Sequence, residues 1–172
     1  MRHVVSVLMA NEAGALVRVA GMFSQRGFNI ETLNVGPTED ATMSRLTLVT
    51  EGTEAVVDQI NRQLLKLVDV IDVLDMTGDE HIERELALVK IHASADANAL
   101  IADCDVTAIS EEDGLSTLRF LGTGDELNAF VERLEAADAL VELARSGAVT
   151  ITPGAAGLRF RDSTGQQSTA GL

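Results

Sequence analysis

The apolar positions of this 172-residue chain change their spacing at short intervals, and each change marks an element. Val4 to Ala10 (VVSVLMA) is an apolar run long enough for one strand and too short to cross a bilayer, and it predicts a strand over residues 3–10. Leu16, Val19, Ala20 and Phe23 then fall at helical spacing, predicting a helix over 14–26 with one face toward a core. Gly27 stands where that helix would stop, because glycine takes the left-handed C-cap conformation without a Cβ clash. Phe28 to Val35 (FNIETLNV) returns to alternation, with a slip of one between Ile30 and Leu33 that reads as a bulge or twist in a second strand. Gly36-Pro37 ends it, and Pro37 to Ala41 forms a hairpin loop before a third strand from Met43 to Val49. A second helix spans about 54–67, with Val56, Ile60, Leu64 and Leu67 as its stripe, Thr53 placed as N-cap and Glu54 at the positive dipole end. Val70 to Leu74 closes the set as a fourth strand.

This β-α-β-β-α-β order predicts an α+β, ferredoxin-like unit, with two helices on one face of a four-stranded antiparallel sheet. Gly78, Asp79 and Glu80 mark a boundary. Beyond it, strand patterns at 86–91, 106–109 and 116–121, a weak short helix at 98–102 and a turn at Glu111–Gly114 precede an amphipathic helix over 125–137. That helix turns Leu127, Phe130, Val131 and Leu134 inward, and closing strands follow at 140–143 and 149–151. The order therefore appears a second time, offset by about 80 residues. Two tandem ferredoxin-like βαββαβ domains are expected, 1–78 and 79–153. Residues 154–172, rich in Gly, Ala, Ser, Thr and Gln without an apolar period, read as a disordered tail.

Composition narrows the function. The net charge of −14 argues against nucleic acid and anionic membrane as partners, since both reward clustered Lys and Arg. Five Phe with neither Trp nor Tyr give no platform for base stacking. The charge is uneven: residues 1–78 hold 6 basic and 10 acidic groups, net −4, and residues 79–172 hold 7 and 17, net −10. Cys104 is alone, so neither an internal disulfide nor a Cys–His metal cluster is available. His3, His81 and His92 lie far apart and read as surface or strand-edge residues. The N-terminus has one Arg and an apolar run broken by Ser6, which does not fit a signal peptide, and a cytoplasmic location is expected. No Ser–His–Asp order, Cys–His pair, glycine-rich phosphate loop or HExxH motif is present, so catalysis by this chain alone is not expected.

The turn between the first strand and the first helix holds the candidate binding chemistry. Asn11 and Gly14 bracket it. On residue type alone they read either as a cap and a relief of strain, or as the rim of a small-anion site at a helix N-terminus. A free amino acid fits the second reading. Its carboxylate would take the backbone N–H groups of Gly14, Ala15 and Leu16, where a Cβ at position 14 would intrude. Its ammonium needs acceptors, which the side chains of Asn11 and Asn29 supply without a full charge. Its apolar side chain would pack on Leu16 and Ile30.

The strand, the Asn-x-x-Gly-x-Leu turn, the helix, then RGFNIETLNVGPTED and MSRLTLVTEG resemble an ACT domain. More narrowly, NEAGAL, FSQRGFNIETLNVGPTED, QLLKLVDVIDV and HIERELALVKI are similar to the small regulatory subunit of acetohydroxyacid synthase, also called acetolactate synthase. The likeness covers roughly residues 1–95 and returns at Glu142 to Val149 (ELARSGAV), while the segment between Ser94 and Ser116 departs from it by being shorter. The resemblance implies a homodimer through the ACT domain with the effector at an interface between two such domains. Asn11 and Gly14 of one copy would then face Asn29 and Ile30 of the other. It also implies binding and activation of the large catalytic subunit, which carries thiamine diphosphate, FAD and Mg²⁺, this chain holding no cofactor. Feedback inhibition by valine or a related branched-chain amino acid follows. The alternative it leaves open is a free-standing ACT-type amino-acid sensor acting on a different partner.

Overall fold

A computed structural model describes residues 1–78, 80–93, 100–101, 104–154 and 157–158. In chain order the elements are β1 (Arg2–Ala10), α1 (Ala15–Arg26), β2 (Thr32–Pro37), β3 (Met43–Glu51), α2 (Glu54–Leu64) and β4 (Val70–Asp75). They continue as β5 (Ile82–His92), β6 (Val106–Glu112), β7 (Leu115–Gly122), α3 (Gly124–Ala136), β8 (Leu140–Arg145) and β9 (Val149–Ile151). The first sheet has the order β2-β3-β1-β4 and the second β6-β7-β5-β8, so β5 to β8 repeat the placement of β1 to β4. Contacts divide the chain into one unit holding Met1–Ile82 and another holding Glu83–Val149. Two antiparallel sheets with helices, in tandem βαββαβ order, are the fold that the apolar spacing predicts.

In the first unit Val5, Val7 and Met9 of β1 and Leu46 and Leu48 of β3 meet Ala15, Val19, Met22 and Phe23 of α1 and Val57, Ile60 and Leu64 of α2. The stripe of α1 is thus 15/19/22/23 rather than 16/19/20/23. The helix starts one residue later than predicted, after Gly14, and Ala15 takes the first inward position while Leu16 is 38 % exposed. The helix end follows the sequence expectation. Gly27 is left-handed (φ 67°), its N–H reaches the Ser24 carbonyl at 3.2 Å, and the Phe28 N–H reaches the Phe23 carbonyl at 3.1 Å. The two Phe rings meet edge to face, centroids 6.2 Å apart, completing a Schellman motif with its apolar contact. Phe28 belongs to this motif and the pairing with β3 starts at Thr32, so β2 begins there and not at Phe28. The slip in alternation between Ile30 and Leu33 marks the exit from the helix cap, not a bulge.

Other boundaries move for similar local reasons. α2 ends at Leu64, and a turn bonding Leu67 N–H to the Leu64 carbonyl carries the chain to β4. Its Thr53 is the N-cap residue by position, but its side chain makes no cap bond. The β6–β7 turn is two residues, not four, because Asp113 (φ 54°) and Gly114 (φ 77°) both adopt the left-handed region that a tight hairpin requires. His3 is not a surface residue: at 2 % exposure its ring lies 3.2 Å from both Thr77 Oγ1 and the Gly52 carbonyl. The short helix expected at 98–102 is described only at Leu100 and Ile101, and the expected tail lies, apart from Gly154, Gly157 and Leu158, outside the described residues.

The second unit packs Ala87, Val89 and Ile91 of β5 and Leu118 and Phe120 of β7 under Leu127, Phe130 and Leu134 of α3, with Val131 half-buried. Thr123 and Glu126 form a reciprocal capping box at the start of α3. The HIERELALVKI and ELARSGAV blocks acquire a physical meaning here. β5 begins at Ile82, four residues earlier than its apolar pattern, and turns two carboxylates inward. Glu83 accepts from the Gly124 N–H at 3.0 Å, at the N-terminus of α3. Glu85, 2 % exposed, pairs with Arg145 of β8 through Nε at 2.8 Å and Nη2 at 2.9 Å, and Arg145 Nη1 reaches Asn128 Oδ1 at 2.8 Å. Next to it Leu86 N–H donates to Ser146 Oγ at 3.0 Å.

One ion pair therefore ties β5, β8 and α3 together. Replacing Arg145 with Ala strands a buried carboxylate and is expected to cost about 3 kcal/mol, the low end for such a break because Arg145 is 30 % exposed. The double change Glu85→Leu with Arg145→Met removes the stranded charge and recovers most of that loss. Urea unfolding followed by circular dichroism measures both.

Candidate functional site

The turn after β1 is built by backbone constraints on each side. Asn11 N–H bonds the Thr42 carbonyl at 2.7 Å and Ala10 N–H bonds the Asp69 carbonyl at 2.8 Å, which fixes the end of β1 against two other loops. Gly14 is the N-cap residue of α1 with φ 91°, a conformation that glycine reaches without strain. Asn11 does not cap the helix. Its Nδ2 donates to the Ala41 carbonyl at 3.0 Å, which orients the amide and leaves Oδ1 as its open acceptor.

Of the three N–H donors expected at the helix start, Ala15's is taken by the Glu12 carbonyl at 3.2 Å, and Ala15 itself is buried in the core. The N–H groups of Gly14 and Leu16 have no partner among the described residues. The Leu16 side chain is available beside them because it does not belong to the buried stripe. Asn29 is exposed; its carbonyl accepts from Thr50 Oγ1 at 2.6 Å, and its side chain has no partner among the described residues. Ile30 is half-buried against the first core.

Within one chain these residues form two groups, not one. The register pairs Ala10 with Met43 and Thr32 with Val49. Six steps of β3 separate the two points, about 20 Å at strand rise. The 12-residue α1 spans nearly the same length, about 18 Å. Asn11, Gly14 and Leu16 stand at one end of α1, and Asn29 and Ile30 at the other.

Two charged residues that the apolar pattern does not single out join the first group. Arg18, on the turn of α1 after Gly14, is paired bidentately with Asp69, whose side chain is 7 % exposed. The hydrogen bonds from Arg18 hold the Asp69 carboxyl below the ordinary carboxylate range, and the same contact raises the Arg18 guanidinium. Arg18 carries a signal in the sequence, four residues after Gly14 and hence on the same helix face. Asp69 carries none, lying 51 residues from its partner. On the outer face of the same sheet Arg45 donates to Ser6 Oγ at 3.0 Å, and burial pulls its guanidinium down. Among the described residues no group of three or more His, Cys, Asp or Glu is gathered to hold a metal ion. No helix of the described residues is long and apolar enough to cross a membrane.

The fold and its edge-of-helix turn define the first unit as an ACT domain: residues 5–72 match the family described as AHAS small subunit-like ACT domain. Residues 84–154 match a second family model, described as small subunit of acetolactate synthase. The chain belongs to the acetolactate synthase small-subunit family. It is 46 % identical over 160 residues to the acetolactate synthase isozyme 3 small subunit of Salmonella typhimurium, covering 90 % of this chain and 97 % of that one. It is 37 % identical over 162 residues to the acetolactate synthase small subunit of Mycolicibacterium smegmatis, covering 91 % and 94 %. Its fold superposes on the crystal structure of the Thermotoga maritima acetolactate synthase small subunit with a TM-score of 0.78 at 28 % identity, covering 91 % and 99 %. A small subunit of this kind implies a large catalytic partner.

The Arg18–Asp69 pair makes stability depend on pH in a defined direction. The folded-state carboxyl titrates lower than its unfolded value of about 4, so its contribution is complete above that pH and is lost as pH falls through the folded value. Asp40, Glu126 and Glu142 are lowered as well, by Thr42, Thr123 and Lys90 respectively, but they are common to wild type and variant. The difference in urea midpoint between wild type and Asp69→Asn is therefore expected to be constant from pH 7 to 5 and to shrink below about pH 4. A difference that does not change with pH contradicts the assignment.

Proposed function

We propose that this chain is the regulatory subunit of acetolactate synthase, that it binds and activates the large catalytic subunit, and that a branched-chain amino acid inhibits the enzyme through it. Thiamine diphosphate, FAD and Mg²⁺ belong to the large subunit in this reading, catalysis takes place there, and the pair works in the cytoplasm. The effector is valine or a close relative. It binds between two copies of the ACT domain.

The observation that carries the reading is the register of the first sheet. β2 is an edge strand, and its Leu33 and Val35 are 36 % and 39 % exposed. Its Thr32 end lies beside Asn29 and Ile30, and its Pro37 end lies beside the turn after β1, where Ser44 pairs with Pro37 and Met43 with Ala10. Antiparallel pairing of β2 with β2 of a second copy places the Thr32 end of one strand against the Pro37 end of the other. It thereby removes an exposed edge and brings Asn29 and Ile30 of one copy to Asn11, Gly14 and Leu16 of its partner. The effector carboxylate takes the Gly14 and Leu16 N–H groups at the positive helix end, its ammonium takes the Asn11 and Asn29 oxygens, and its apolar side chain packs on Leu16 and Ile30.

Effector and catalytic subunit then act on one equilibrium, the arrangement of the two copies, and each changes the other's affinity. Sedimentation equilibrium at micromolar concentration is expected to give twice the 18.3 kDa chain mass, and a monomer with and without valine contradicts the reading. In the reconstituted enzyme Asn29→Ala removes a hydrogen bond to a charged group. It is expected to raise the half-inhibiting valine concentration about 10- to 150-fold with activation retained. Unchanged inhibition counts against the site.

A further inference from the structure

The inference here rests on the effector site proposed above and extends it by one residue. A guanidinium carries five N–H donors in a fixed plane. Asp69 engages the side of the Arg18 plane, through Nε and through Nη2, the latter 2.7 Å from Oδ1. That uses two donors. Of the other three, two lie along the end-on edge formed by Nη1 and Nη2 and the third, on Nη1, points back beside Cδ; that edge has no acceptor among the described residues. A carboxylate can take that edge in a second two-point contact.

The edge is aimed at the helix-terminal turn. A Cβ built on Gly14 would lie 3.0 Å from Arg18 Nη1, 3.6 Å from Cζ and 3.8 Å from Nη2, so the Nη1 tip is the part of the plane that overlies Gly14. The same turn holds the unpartnered N–H groups of Gly14 and Leu16. Its position is set from below: Asp69 is 7 % exposed, and its carbonyl is bonded to Ala10 N–H at 2.8 Å, at the end of β1. Glycine at position 14 thus has two uses, the left-handed turn and room for the guanidinium.

We infer that Arg18 reads the effector's carboxylate, its guanidinium bridging Asp69 on one side and the ligand at its end-on edge. Asp69 is a positioning residue that acts through Arg18. The site consequently selects α-carboxylates over uncharged analogues of the same shape. Asp69 and nearby Glu12 are negative, and without Arg18 they would repel such a ligand. Lysine is a poor substitute, because a point charge cannot present two forks to two carboxylates.

The test uses the reconstituted enzyme and calorimetry on the small subunit, with valine and valinamide as probes. Wild type is expected to prefer valine, and R18Q to lose valine affinity about 10- to 150-fold while valinamide changes little, so that the preference collapses. R18K keeps the charge beside Asp69 and hence the fold, and it is expected to retain part of the preference. If R18Q and R18K weaken both probes equally, or leave the valine-to-valinamide ratio unchanged, Arg18 is structural and the inference is overturned. The effector site itself survives that result provided wild type binds valine and Asn29→Ala weakens it. Absence of valine binding to wild type overturns both.

Discussion

The backbone hydrogen bonds that hold β3 between β1 and β2 are the constraint on which the rest of the molecule depends. They pair Ala10 with Met43 and Thr32 with Val49, and so fix the two ends of the sheet. A one-residue slip would turn every side chain of the affected strand to the other face, and Val5, Val7, Met9, Leu46 and Leu48 would leave the core. The register is therefore held by packing as well as by the ladder. Because α1 leaves at one end of this sheet and returns at the other, the register also decides where the polar groups of the two helix ends stand. The separation of Asn11 from Asn29 is a direct consequence of how β1, α1 and β2 are connected.

Each unit carries one arginine–carboxylate pair, at opposite ends of the repeated topology: Asp69 lies at the end of β1, and Glu85 near the start of β5. In the first, Arg18 of α1 holds Asp69 in the turn before β4, an exposed guanidinium on a shielded carboxylate. In the second, Glu85 and Arg145 join β5 to β8, and Glu83 reaches the start of α3. The first pair leaves a guanidinium edge open at the surface. In the second, Nη1 of Arg145 donates to Asn128.

The element order was legible because the apolar period changes sharply at each boundary, and Gly27 announced the end of α1 correctly. What was not legible follows from contacts that no local pattern encodes. Leu16 looked inward because Leu is apolar, yet Ala15 occupies the core, since the helix phase is set by Gly14 one residue earlier. Phe28 alternates with Ile30 like a strand but belongs to a helix cap, where its backbone bond to Phe23 overrides strand propensity. The inward carboxylates Glu83 and Glu85 were hidden because buried charge is invisible to a hydrophobic count. Of the residues proposed to bind the effector, Asn11, Gly14 and Asn29 could be singled out by type and by family resemblance. The role of Asp69 depends on a partner 51 residues away, and no spacing rule reaches that far.

The central claim is that each effector site is made by two chains, with Asn11 from one and Asn29 from the other. Mixing Asn11→Ala with Asn29→Ala subunits, after unfolding and refolding them together, tests it directly. In a two-fold heterodimer one site carries both substitutions and the other carries neither. Calorimetric titration with valine is expected to show wild-type affinity at one site per heterodimer, although neither variant alone shows it. If each site lay within a single chain, every site in the mixture would carry one substitution. The mixture would then bind no better than its components, and the account would be wrong.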